Sequence, residues 1–182
     1  MNDALPRRIA GNLALDLANT ISWRGTARAA DHLGDANAIL AWARDAALVE
    51  QDFRPAAAKR AALVQDVHAL RDAVYRAFAA IAQGRAPRAT ALETIRNVAA
   101  RGLASATLIS TPASLRFAGV DRISGPLAWA ALDLLRSDEL ARLKQCPADG
   151  CRWLFLDRTK NGSRRWCEMA TCGDRAKKAA QR

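Results

Sequence analysis

Over most of this chain the apolar positions recur at helical spacing. Leu13, Leu17 and Ile21 fall at i, i+4 and i+8, which predicts a short first helix with one buried face. Asp35 is placed to cap a second helix carrying Ile39, Leu40, Trp42, Ala43 and Ala47. The longest signal is the stripe Leu63, Val67, Leu70, Val74, Phe78 and Ile81, in a helix over residues 55–83. Pro55 stands near its first turn and Gly84 just past its end. His68 and Tyr75 lie off that stripe, so His68 is expected at the surface or rim. Residues 89–101 predict a fourth helix, with Leu92, Ile95 and Ala99 on one face.

The period then changes. Residues 104–110 (ASATLIS) and 114–118 (SLRFA) are β-branched or alternating, with Thr111, Pro112 and Ala113 between them. A β-hairpin over 104–118, inserted in a helical domain, is the expectation. Gly125 and Pro126 read as the opening of another helix through Leu127, Ala131, Leu134 and Leu135. Ser137 and Asp138 restart the chain as a short helix over 139–144, running into Cys146. The expected architecture is mainly α with a small hairpin, divided into a helical domain (1–143) and a C-terminal module (144–182). No internal repeat or low-complexity linker separates the two.

The C-terminal module brings in the chemistry. Cys146, Cys151, Cys167 and Cys172, the only cysteines, are spaced C-x4-C-x15-C-x4-C. Two close pairs across a turn-rich segment suit a tetrahedral metal, and a structural Zn2+ held by these four thiolates is the expectation. The competing reading, two disulfides, needs an oxidising compartment. Arg7 and Arg8 precede an apolar stretch, but Asn12 and Asp16 interrupt it and no small-residue cleavage site follows, so the start does not read as secretory. No run reaches membrane-span length, and a cytoplasmic protein is expected.

Within the module, Pro147 and Gly150 shape a knuckle between the first ligand pair. Trp153 to Leu156 has strand character and Asn161-Gly162 is a turn signal, so 152–157 and 164–166 are expected to pair as a hairpin. Thr171 and Asp174 read as N-cap and N3 of a last helix with Cys172 in its first turn. Knuckle, hairpin and helix together are treble-clef-like. Trp153, Phe155 and Trp166 are expected to make a miniature core, since so short a segment needs the metal to fold.

Charge adds a partner. The formal net charge is +10, and residues 144–182 carry ten Lys/Arg against four Asp/Glu, several times more basic per residue than the rest. A tetrathiolate zinc centre absorbs about two of those charges. The surplus attracts polyanions, nucleic acid first among them, through Arg158, Lys160, Arg164, Arg165, Arg175, Lys177 and Lys178. Catalysis is not expected: the chain has no Gly-rich phosphate loop, no nucleophile–base spacing, and its two histidines, His32 and His68, lie far from the cysteines.

With those residues read, WLFLDRTKNGSRRWCEMATCGDRAKKAAQR at the C-terminus resembles the CGNR-type zinc finger, a bacterial module. GNLALDLANTISWRG and DHLGDANAILAWA resemble the ABATE domain, which accompanies that finger in stress-induced transcription regulators. The resemblance implies zinc on Cys146, Cys151, Cys167 and Cys172, and binding to double-stranded DNA. One position departs from it: Asp174 stands where the naming motif has Asn, and an ionised Asp cannot donate a hydrogen bond to phosphate or thiolate. The function expected is a bacterial DNA-binding transcriptional regulator whose N-terminal domain senses a small-molecule effector or mediates homodimerisation. Asp16, Asn19, Thr20, Trp23 and Arg24 are its candidate ligand pocket. A protein-interaction adaptor, or an RNA-binding protein, with a purely structural zinc module is the alternative.

Overall fold

The computed structural model describes residues 5–109 and 114–181. Asn12 opens the first helix, α1 (Leu13–Ala18), its Oδ1 accepting the N–H of Ala14 at 2.9 Å. The helix ends early because Thr20 Oγ1 turns back to the Leu17 carbonyl (2.7 Å) and the chain leaves as β1 (Ile21–Ser22). Ile21 therefore lies in a strand, paired with β2 (Ala30–Asp31), and not on a third helical turn. Ala14, Leu15, Leu17 and Ala18 are the apolar residues that α1 buries.

Asp35 caps α2 (Ala36–Asp45) as expected, accepting the Ala38 N–H at 2.8 Å. Ile39, Leu40, Trp42 and Ala43 are buried; Ala47 lies beyond the helix with φ +55°. A 3-10 turn (Ala57–Lys59) leads into α3 (Arg60–Ala82), whose stripe from Leu63 to Phe78 is buried, with Ile81 half-buried. Gly84, at φ +69°, ends it. His68 is half-buried and its Nε2–H donates to the Leu33 carbonyl (2.6 Å), which ties α3 to the segment before α2.

Helix α4 (Ala89–Ala104) packs closely on α5 (Asp121–Leu135). A Cβ on Gly102 of α4 would come within 2.8 Å of the Gly125 Cα of α5, and one on Gly125 would strike the Phe117 ring. The expected helix start at Gly125-Pro126 is thus four residues late. Gly125 is a packing glycine inside α5, and Pro126 sits in its second turn, without the hydrogen bond back to residue 122. Between α4 and α5, β3 (Thr107–Ile109) and β4 (Ser114–Arg116) pair antiparallel, Leu108 opposite Leu115. The turn residues 110–113 of that hairpin lie outside the described residues.

After α5 the expected helix over 139–144 is replaced by a 3-10 turn (Asp138–Arg142) and strand β5 (Leu143–Gln145). That strand pairs antiparallel with β6 (Leu154–Leu156), Leu143 opposite Leu156. The pairing corrects a second expectation: β6 takes its partner from before the knuckle, and residues 164–166 form no strand. Helix α1 meets α3 and α5 in the main core, and Leu143, Leu154 and Leu156 are buried in that same core. β6 is fully buried because both its edges are occupied. On the side away from β5, Leu156 N–H donates to the Ala10 carbonyl (2.8 Å), and Leu154 exchanges two hydrogen bonds with the Asn19 side chain.

Candidate metal centre and basic face

The knuckle fills the turn between β5 and β6. Cys146 follows β5 directly, its N–H donating to the Trp153 carbonyl at 2.8 Å, and Gly150 takes φ +69° just before Cys151. A Cβ at Gly150 would come within 2.9 Å of the Trp23 ring, so this glycine also lets the knuckle lie against the β1 end of the helical region. The second pair is set by a different device. Glu168 is extended, and its carbonyl accepts the N–H of both Cys172 (3.1 Å) and Gly173 (3.2 Å), closing a wide π-turn over Met169–Gly173 that continues as α6 (Asp174–Ala180). Thr171 is therefore not the N-cap; its hydroxyl donates to the Glu168 carboxylate (3.2 Å) and Glu168 begins the turn. The expected capping box places the start three residues late, because the first turn, a π-turn, opens at Glu168. Cys172 still falls at the opening of the helical segment.

The four Sγ atoms all lie within 4.8 Å of one another and every cysteine is buried. Cys151 and Cys167 are 3.6 Å apart, Cys167 and Cys172 3.5 Å. Four thiolates at Zn–S distances of about 2.3 Å sit roughly 3.8 Å apart at tetrahedral corners, so the cluster fits one zinc ion with small adjustment. All four cysteines are free thiols, which sets aside the disulfide reading, and neither His32 nor His68 joins the cluster. Hydrogen bonds from Cys151 and Cys167 hold Cys146 well below the usual thiol range, and the same contacts push Cys151 up to about 12 and Cys167 up as well. Bound zinc supplies the positive charge that lets all four act as thiolates.

Around the sulfurs, Phe155, Trp153 and Trp166 form the small core expected of the module, joined by Ala148 and by Ile9 from the N-terminal region. Arg175 places an Nη2–H 3.0 Å from Cys172 Sγ while its guanidinium covers the Trp23 ring at 4.3 Å. This donor stabilises a thiolate and fixes its orientation.

The loop between β6 and Cys167 is organised by Asp157, which lies buried. Its carboxylate accepts Lys144 Nζ (2.7 Å), Arg164 N–H (2.8 Å), and both the hydroxyl (2.5 Å) and N–H (3.0 Å) of Thr159. Burial works against its charge, but these donors outweigh it and hold the carboxyl below the ordinary carboxylate range. Lys144 Nζ also reaches the carbonyls of Gly162 and Arg164. This polar hub stands where a strand pair was expected. The Asp-x-Thr spacing after the apolar run was its sequence signal, since an Asx turn needs that pattern.

The seven cations proposed from sequence separate into two groups. Arg164 is turned inward, donating to the carbonyls of Ile9, Leu156, Trp166 and Cys167 and covering the Phe155 ring at 4.5 Å. Arg175 is held on Cys172, and Arg158 makes a bidentate pair with Glu139 (2.8 and 2.9 Å). Lys160, Arg165, Lys177 and Lys178 are exposed, and none of them has an anionic partner among the described residues.

The five residues of the candidate pocket do not share one cavity. Asp16 is buried and accepts the Ala10 N–H (2.9 Å); desolvation raises its carboxyl to about 6, against the lowering effect of that N–H. Asn19 is engaged with β6, and Thr20 with the Leu17 carbonyl and Arg71. Arg24 lies over the Tyr75 ring at 3.9 Å, donates to the Ala18 carbonyl and pairs with Asp72. Trp23 alone lines a cleft, beside the metal centre.

No helix among the described residues is long and apolar enough to cross a membrane. No curated protein matches the chain. Residues 11–138 match the ABATE family, described as "Putative stress-induced transcription regulator", and residues 142–182 match the CGNR zinc finger. Its helical body, four-cysteine centre and these two matches place the chain in the ABATE family of regulators, with a CGNR zinc finger at its C-terminal end.

Proposed function

We propose that this protein is a bacterial transcriptional regulator that binds double-stranded DNA through the basic face of its zinc finger. Residues 144–182 supply the DNA contacts, and residues 1–143 sense an effector or join two copies. The observation that carries the reading is the split among the finger's cations. Arg158, Arg164 and Arg175 are spent on the fold, while Lys160, Arg165, Lys177 and Lys178 are directed to solvent without counter-charges among the described residues. Zinc has a structural part in this reading: held by Cys146, Cys151, Cys167 and Cys172, it keeps those four cations on one folded scaffold.

Four cations on phosphate give a salt dependence of log K near −3.6, about −0.9 for each neutralised phosphate. The test is retardation of random duplex DNA by zinc-loaded protein across a salt series, repeated with Lys160→Glu and Arg165→Glu. Binding that weakens with that slope, and weakens further in the charge-reversed variants, supports the reading. Binding that ignores salt, or no retardation at low salt, overturns it and favours the adaptor alternative; preference for structured RNA in competition favours the RNA alternative.

A further inference from the structure

The residue that departs from the zinc-finger motif lies on the rim of a cleft. Between the β1 end and the finger's last helix is an opening of about 450 Å3, within the range of small-molecule sites. Trp23, Trp153, Ala170 and the metal-ligand candidates Cys151, Cys167 and Cys172 line it, together with Asp174 and Lys178. Most of its polar groups are already satisfied. Ser22 Oγ is bonded to His32 (2.8 Å), Thr171 to Glu168, Trp153 Nε1–H to the Ile21 carbonyl (3.2 Å), and Arg175 to Cys172. Asp174 and Lys178 are different: neither side chain makes a hydrogen bond or ion pair among the described residues, and they do not pair with each other although they are one helical turn apart.

We propose that this cleft binds a small aromatic zwitterion of the aromatic amino-acid class, with its ring against the Trp153 indole, its ammonium on the Asp174 carboxylate and its carboxylate on Lys178. The exposed part of the Trp153 indole favours a flat apolar body. One acceptor and one donor of opposite charge, spaced by a single turn, select a ligand that carries both charges on neighbouring atoms. An Asn at 174, as in the motif, would lack the charge that holds an ammonium. Because Trp23 belongs to the helical region and Arg175 and Lys178 to the finger, an occupant touches both parts. The proposal gives the sensing half of the regulator reading a place and a ligand class, and rests on that half alone.

The test is titration of the zinc-loaded full chain with L-phenylalanine, phenethylamine and 3-phenylpropionate, followed by calorimetry and by tryptophan emission. L-Phenylalanine is expected to bind most tightly, phenethylamine about 10-fold more weakly for want of the Lys178 contact, and 3-phenylpropionate weakest. Asp174→Asn, which installs the motif's own residue and so preserves the fold, is expected to weaken both amine-bearing probes about 10-fold and leave 3-phenylpropionate unchanged. Lys178→Gln should bring L-phenylalanine down to the level of phenethylamine. Absence of binding by all three probes, or indifference of the amines to Asp174→Asn, would overturn the proposal. DNA retardation is measured separately: probe binding without DNA binding leaves the cleft standing and removes the DNA reading, and DNA binding without probe binding does the reverse.

Discussion

Asn19→Ala is expected to loosen the finger from the helical body, although Asn19 is not in the finger. Its amide is almost fully buried, at 1% exposure, and imitates a strand residue. Nδ2–H donates to the Leu154 carbonyl at 2.8 Å, and Oδ1 accepts the Leu154 N–H at 2.9 Å. Alanine removes both partners and leaves a peptide N–H and C=O facing apolar core. Each unsatisfied buried group costs about 1–3 kcal/mol, so the variant should lose about 2–6 kcal/mol. For a chain of this length that lowers Tm by roughly 4–24 °C, taking about 2–4 °C per kcal/mol. The assay is urea and thermal unfolding of zinc-saturated protein, with hydrogen exchange at the Leu154 amide as the local readout. Exchange at Leu154 should accelerate more than at α3 amides. A variant within about 0.5 kcal/mol of the parent, with Leu154 still protected, would refute the argument that this side chain closes the edge of β6.

Three further outcomes follow from the same geometry. Arg175→Ala should weaken zinc binding about 10–100-fold, as loss of a donor to a metal ligand does, and Cys172→Ser should weaken it more; competition with a chromogenic chelator measures both, and unchanged zinc affinity in Arg175→Ala would remove its assigned role. Asp16, raised to about 6 when folded against 3.8 as its ordinary value, binds its proton more tightly in the native state; stability from this group is therefore full below about pH 4 and lost as pH rises through about 6, a change of up to about 3 kcal/mol. Asp16→Asn should flatten that dependence in unfolding measured from pH 4 to 8, and an unaltered pH profile would count against it. Gly125→Ala should destabilise despite alanine's better helix propensity, because its Cβ strikes the Phe117 ring; combining it with Phe117→Leu should recover part of the loss in thermal melts, and a stabilised single variant would contradict the packing.

The helices were legible in the chain because their signals are local. The Leu63-to-Phe78 stripe and the Asp35 cap need only neighbouring residues to be recognised, and both are as expected. The four ligands were legible for a similar reason, since cysteine spacing is set by short turns. What misled were choices made by distant partners. β6 has strand character in either pairing, and nothing local says that Leu143–Gln145, on the far side of the knuckle, is its neighbour. Gly125-Pro126 looks like a helix start until Phe117 and Gly102 explain why a glycine is needed inside the helix. Asn19 reads from sequence as part of a candidate ligand pocket, but it serves a strand 135 positions away, a partner that spacing cannot reveal. Among the cations, sequence counts charge without direction, so inward-facing Arg164 was grouped with exposed Arg165.

The burial of Leu154 and Leu156 among helical side chains bears on how this finger can be handled. Zinc fingers are often treated as cassettes, cut at their outer cysteines and grafted onto other carriers. Here the strand between the second and third ligands would arrive at a new host with its leucines uncovered and its outer edge unpaired. A transplant would have to bring along Ala10 and Asn19 as well, the two residues that tuck that edge away.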